Sequence, residues 1–458
     1  MAPNPLDEQQ QHQTPTEAAK EAPFGGPTVL DKESLEFMTR AHAVYAELRD
    51  KGPVVRVPSG LGIVDRAKAE RAPTGGSTPE QYFVTRYDEA VSILMEERLS
   101  SDVLKAMPPE QRARMEAALP EELRPIVRSI LVLDPPDHTR LRKLVQPNFT
   151  ARAMEALRPR IQRIVEDLLD KAEREATARG EVAPGRRLDL VESFAYPLSI
   201  TVISDMLGIP VEERETVYPW AERLLRAKGP EGMMDAETRA GLNAFANYLE
   251  SLFERKRRAP TEDMISQMVQ VQEDGDILNP QELLSMVFIL FFAGHLTTVN
   301  LIGNGVVALL SHPEQHARFL ADPAACVKGM VEETLRYWGP VDFIGGPRIA
   351  LEDLDVGGTR VPRGAKVAVG LASANRDPRR FAHPDAFDIS RPDAHRHIAF
   401  GKGIHVCIGA PLARLEAELA FETLFRRWPE LRLAEPAGQL ELSMGAALRG
   451  FKRIPVVF

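Results

Sequence analysis

Residues Phe400 to Gly409 read FGKGIHVCIG, and this stretch decides the fold. Cys407 closes a loop punctuated by glycine and stands at the head of a helical pattern, APLARLEAELAFE, over residues 410–422. It is one of 2 cysteines in 458 residues, which excludes a disulfide framework or a cysteine-based zinc cluster. A thiolate needs a stabilising environment, and a helix N-terminus with backbone N–H groups turned toward the sulfur provides one. Gly401, Gly403 and Gly409 lack a Cβ, so the backbone is free to lie against a broad, flat partner. The loop is suited to presenting one sulfur to a metal centre from one side. The bland alternative is an inert, buried cysteine in a helix-capping turn.

Phe400, Gly403, His405, Cys407 and Gly409 fill every fixed position of the pattern F-x-x-G-x-[HR]-x-C-x-G. The segment therefore resembles the haem-binding loop of the cytochrome P450 superfamily. The resemblance implies haem b with Cys407 as axial ligand, and Phe400, Gly401, His405 and Gly409 beside the cofactor. It implies a mainly α fold with small β-sheets, in one domain spanning residues 29–458.

Composition agrees with a globular protein. Hydrophobic residues make up 44% and charged residues 27%, and the net charge of −9 argues against nucleic acid as the main partner. Residues 1–28 are polar, rich in Gln, Pro, Glu and Thr, and without an apolar signal core, so they read as a disordered tail. A membrane-spanning helix needs about 20 apolar residues. The longest apolar run, Met286 to Ala293, falls short of that. The expectation is a soluble, bacterial-type, cytoplasmic monomer of secondary metabolism.

Helical periodicity dominates the chain. A helix is predicted over 32–50, ended by Lys51-Gly52-Pro53, followed by a hairpin of Val54–Val57 and Gln81–Val84 around a long loop. Residues 102–130 read as helical pieces of a lid, 137–181 as two long helices, 190–258 as about three more, and 281–311 as one apolar helix. Helical pattern continues to 340, strands and turns follow to 400, and helix returns over 410–427. The tail from 430 to 458 alternates like a hairpin.

Three further motifs extend the resemblance. Glu333 and Arg336 form an E-x-x-R on one helix face, a pattern that alone is most often a solvated helix salt bridge. By resemblance, Arg391 of the stretch containing Phe381, Pro384, Phe387, Asp388, Arg391 and Pro392 joins them in a structural triad. His138 and Arg142 lie four apart in DPPDHTRLRKLVQPNFT. They read either as a basic helix surface or, with Arg348 and His405, as donors to the two haem propionates.

In the apolar helix, FFAGHLTTVN matches the family pattern [AG]-G-x-[DE]-T-[TS] at Ala293, Gly294, Thr297 and Thr298. Leu296 stands where an acid is usual, and leucine carries no proton. Thr297 is expected to bond back to the carbonyl of Ala293 and open a groove for O2 or water. His295 reads as a core or surface histidine, or else as a proton relay through water.

The family's chemistry is insertion of one oxygen atom from O2 into a C–H bond, or epoxidation. Phe288, Phe292, Val341, Phe343, Ile344 and Met444 are expected around the substrate, a mid-sized apolar molecule such as a terpenoid, steroid, fatty acid or macrolide-like product. Electrons from NAD(P)H would arrive through a ferredoxin or flavodoxin, with Arg140, Lys143, Lys402 and Arg414 as docking cations or simply as solvated charges. Two other readings stay open: a peroxide-driven peroxygenase or rearrangement enzyme on the same fold, and a non-catalytic haem protein that binds or senses a ligand.

Overall fold

The computed structural model describes residues 35–58, 80–226, 235–270, 272–273, 276–443 and 447–458. The polar tail 1–28, the long loop over 59–79 and Met444 lie outside the described residues. The helical periodicities become α1 (Leu35–Lys51), α2 (Asp137–Val145), α3 (Ala151–Ala178), α4 (Tyr196–Leu207), α5 (Ala236–Arg258), α6 (Pro280–Leu310), α7 (Pro323–Trp338) and α8 (Ala410–Arg427). Shorter helices join them, including three over the expected lid: Val103–Ala106, Pro109–Ala118 and Arg124–Val127.

α6 is the axis. Asn279 and Glu282 form a capping box at its start, and Pro280 occupies the first turn, where a missing N–H is harmless. The helix is long and apolar enough to cross a membrane, yet 67% of its most apolar window is buried inside the protein, as in a core helix. Close helix approach is set by glycine. A Cβ on Gly294 would lie 2.9 Å from Ile203 Cδ1 on α4, and one on Gly305 would lie 2.3 Å from Phe421 Cζ on α8. The contiguous apolar core around α6 extends from Leu123 to Phe458.

The β-rich part contains a five-stranded sheet of β1 (Val54–Pro58), β2 (Glu80–Val84), β3 (Leu99–Ser100), β5 (Ile344–Ala350) and β6 (Lys366–Val369), in the order β1-β2-β6-β5-β3. β1 and β2 pair antiparallel with Val54 opposite Val84, so the expected pairing forms. A three-stranded sheet comprises β4 (Arg187–Asp189), β7 (Arg432–Leu433) and β8 (Pro455–Val457). Here the expected antiparallel pairing of the tail forms between β7 and β8, and β4 is added on the other edge of β8, because a central strand satisfies both rows of backbone groups.

Candidate functional site

Local geometry delivers Cys407 to the end of its loop. Gly401 and Gly403 adopt φ of 70° and 74°, a region costly for residues with a Cβ. A Cβ on Gly403 would also meet the Leu94 carbonyl oxygen at 2.4 Å. The Cys407 N–H donates to the Phe400 carbonyl at 2.9 Å and closes the loop, and Gly409 then caps α8. The side chain is accessible to water while protein encloses most of its surroundings. Burial pushes its thiol above the usual cysteine value, against the pull of the Gly409 N–H, the Arg142 charge, the Ala410 N–H and the Arg414 charge.

The E-x-x-R pair anchors this loop from below. Glu333 and Arg336 are fully buried and bidentate, at 2.7 and 2.8 Å. Arg391 reaches the same carboxylate at 3.2 Å, and the Asp388 N–H donates to it at 2.9 Å. Arg336 also donates to the carbonyls of Asn375, Pro384 and Ala386. Two buried charges cost several kcal/mol to desolvate unless every donor is met, and here each guanidinium edge is occupied. Asn375 carries the constraint onward, because its Oδ1 accepts the Ile398 N–H at 2.7 Å, and the Ile398 carbonyl accepts the Gly401 N–H at 2.9 Å.

A cluster of histidine and arginine side chains lies beside the loop. The rings of His138 on α2 and His405 are 4.4 Å apart, and Arg348 extends from β5. His138 Nδ1, His405 Nε2 and Arg348 Nε are buried with no hydrogen-bond partner among the described residues. Burial depresses His138, and burial plus the His138 and Arg348 charges pull His405 to about 4. Arg142 donates to the Ile404 carbonyl at 3.0 Å, so it braces the loop as well. Asp134 is the residue that motif reading passed over. Its carboxylate accepts from Ser100 Oγ at 2.5 Å and the Ser101 N–H at 2.9 Å, and it attracts His138, Arg348 and His405 together. The DPP run that opens the motif was its only signal.

On α6, Thr297 Oγ1 donates to the Ala293 carbonyl at 2.9 Å and Thr298 Oγ1 to the Gly294 carbonyl at 3.2 Å. Ala293 is exposed, and Phe292 and Gly294 on either side of it are half-buried. His295 is a core residue. Its Nδ1 lies 2.8 Å from the Phe291 carbonyl, so Nδ1 carries the proton, and its ring meets Tyr196 edge-on at 6.0 Å. Burial lowers it to about 4, which keeps it neutral.

The expected pocket residues separate into two groups. Phe288 packs into an aromatic cluster with Phe245 and Phe292, and Phe343 into one containing Tyr45 and Phe83, both as core side chains. Phe292, Val341 and Ile344 remain half-buried. Among the docking cations, Arg140 is ion-paired with Glu282, and Arg414 with Glu332 at 2.5 Å, whereas Lys143 and Lys402 are exposed.

A thiol at a helix head, unpaired buried donors suited to two carboxylates, and an exposed alanine in a core helix together fit a haem-thiolate protein. The Cytochrome P450 family model matches residues 81–228 and 325–436. The chain is 42% identical to cytochrome P450 monooxygenase PikC of Streptomyces venezuelae, over 94% of each chain. It is 38% identical to 6-deoxyerythronolide B hydroxylase of Saccharopolyspora erythraea, over 94% of this chain and 98% of that one. The solved structure of myxobacterial cytochrome P450 CYP267B1 with myristic acid superposes with a TM-score of 0.79 at 40% identity, covering 92% of this chain and 97% of that one. The chain belongs to the cytochrome P450 family and is a P450 monooxygenase, with haem, a cysteine thiolate and O2 as its working parts.

Proposed function

We propose that this P450 hydroxylates or epoxidises a macrolide-like or other polyketide-derived substrate, in the cytoplasm, as a monomer. NAD(P)H would supply electrons through a separate ferredoxin or flavodoxin. The observation that carries the substrate class is the 38% identity, over 94% of this chain, to a hydroxylase named for 6-deoxyerythronolide B, a macrolactone. Phe292, Val341 and Ile344 are half-buried apolar side chains of the kind such a molecule would need around it.

Cys407 would hold the haem iron through its sulfur, and His138, Arg142, Arg348 and His405 would hold the cofactor's carboxylates. Haem, when bound, supplies the O2-activating chemistry. The chain's part is to place the substrate and control protons. Thr297 Oγ1 is the proton-bearing atom assigned to the distal side, oriented by its bond to the Ala293 carbonyl. Leu296 contributes no proton and His295 is neutral and faces Tyr196, so protons are expected to travel through ordered water or a substrate hydroxyl.

The test is a difference-absorbance screen of macrolactones, fatty acids, terpenoids and steroids, followed by product analysis with a ferredoxin reductase system. Macrolactones are expected to displace the water ligand and yield product containing one oxygen atom from O2. Preference for another class would overturn the substrate assignment. Leu296 favours a second reading, peroxide-driven oxidation, which predicts equal or faster turnover with hydrogen peroxide and no reductase.

A further inference from the structure

Neighbouring carboxylates on α7 point to different parts of the cysteine loop. Glu333 enters the buried triad. Glu332, one residue earlier and so about a quarter-turn away, faces elsewhere. Its carboxylate accepts from Arg414 Nε at 2.5 Å and Arg414 Nη2 at 3.2 Å. On the same carboxylate, His397 Nε2 lies 3.2 Å away. The Ala399 N–H donates to His397 Nδ1 at 3.0 Å, so the ring proton resides on Nε2, the nitrogen that lies beside Glu332. Arg414 then lies over the Phe400 ring, with its guanidinium carbon 4.6 Å from the centroid. Phe400 supplies the carbonyl that accepts the Cys407 N–H at 2.9 Å, and the Arg414 charge acts on the Cys407 sulfur.

The three groups therefore hold the loop at Ala399, Phe400 and the first turns of α8. They also hold the Arg414 charge where it acts on the sulfur, with the Glu332 carboxylate as its partner. Burial opposes ionisation of Glu332, but its bonds to His397 and Arg414 overcome this and pull it down to about 2. The carboxylate therefore keeps Arg414 balanced. Burial keeps His397 neutral, so it packs beside Glu332 without adding charge.

We propose that Glu332, His397 and Arg414 form a second tether of the cysteine loop, and that the balance between Glu332 and Arg414 sets how readily the iron bound by Cys407 accepts an electron. All three are positioning residues, and the proposal rests on the haem-thiolate reading. One-electron reduction adds negative charge at the centre. An unbalanced cation nearby favours that, and an unbalanced carboxylate opposes it.

The experiment is spectroelectrochemical titration of the ferric–ferrous couple in haem-loaded full-length protein, with the carbon monoxide spectrum of each variant. Glu332→Gln is expected to shift the couple positive and Arg414→Gln to shift it negative, each changing the ferric-to-ferrous ratio at fixed potential by roughly threefold or more. The double variant should return toward wild type, and Arg414→Lys should stay near it. A merely structural tether predicts a different outcome: both single variants move in the same direction, or both lose the red-shifted carbonyl band, and either result overturns the proposal. If Glu332→Gln does not fold, Arg414→Gln against Arg414→Lys still separates charge from packing, and equal potentials there also overturn it. If wild type itself lacks the red-shifted band, the haem-thiolate reading fails instead.

Discussion

Leu296 precedes Thr297 on α6, and its side chain can neither hold nor pass a proton. His295 on the other side is neutral and turned toward Tyr196. Proton delivery at Thr297 Oγ1 therefore lacks a titratable neighbour on its own helix turn. Leu296→Glu is expected to raise product formed per NAD(P)H consumed, measured with a saturating donor. Unchanged coupling would mean that water or substrate already supplies protons at full rate. A second residue-scale case is Glu416 on α8, which is 1% exposed and has one carboxylate oxygen without a partner. Burial raises it well above its ordinary 4.5, against a smaller opposing pull from Ser199 on α4. The folded protein thus keeps a proton that the unfolded chain releases. This contribution to stability is fullest below pH 4.5 and declines as pH rises toward the folded value, at about 1.4 kcal/mol per pH unit. Glu416→Gln should match wild type near pH 4.5 and become progressively more stable than it above that. Parallel denaturation midpoints across pH would show that Glu416 ionises in the folded state.

At the element scale, packing against α6 is a matter of missing methyl groups. Gly305 admits the edge of Phe421, a fully buried ring on the helix that begins just after the cysteine. Gly305→Ala forces that ring aside and is expected to lower stability by about 1–3 kcal/mol in chemical denaturation, the usual range for overpacking. It should also move α8 and so broaden the carbonyl spectrum. Gly305→Ala combined with Phe421→Leu should recover part of the loss, and no recovery would place the strain elsewhere. α7 shows the same economy of position. Successive residues Glu332 and Glu333 send carboxylates to Arg414 and to Arg336, so one helix turn braces the loop at two places.

At the scale of the whole molecule, the cluster of His138, Arg142, Arg348 and His405 is drawn from α2, β5 and the cysteine loop. Three of its nitrogens have no partner among the described residues. A cofactor carrying two carboxylates satisfies them, and one with esterified carboxylates does not. Cofactor-free protein is therefore expected to unfold at lower temperature and to regain stability with haem. Haem dimethyl ester should bind at least about tenfold more weakly, a difference near 1.4 kcal/mol. Equal affinity in a fluorescence-quenching titration would remove the four residues from the cofactor-holding role. We further propose that the continuous core from Leu123 to Phe458 makes residues 29–458 one cooperative domain.

Much of this was legible in the chain itself. The cysteine, its glycines and the long apolar helix are local patterns, and local backbone chemistry is what a sequence displays directly. Gly401 and Gly403 stand where positive φ is needed, and Asn279 with Glu282 announces the start of α6. The partners of charged groups were not legible. Arg414 reads as a free docking cation, yet it spends its charge on Glu332, 82 residues away. Arg449 pairs with Asp342 across 107 residues, and Tyr45 reaches the same carboxylate across 297. Phe288 and Phe343 read as pocket wall and pack as core, because an aromatic side chain suits both and only its neighbours distinguish them. The sequence determined which atoms could meet an iron and which helix lies along the core. Tertiary structure alone decided which charges are balanced and which rings are enclosed, since desolvation and pairing depend on residues brought together from distant parts of the chain.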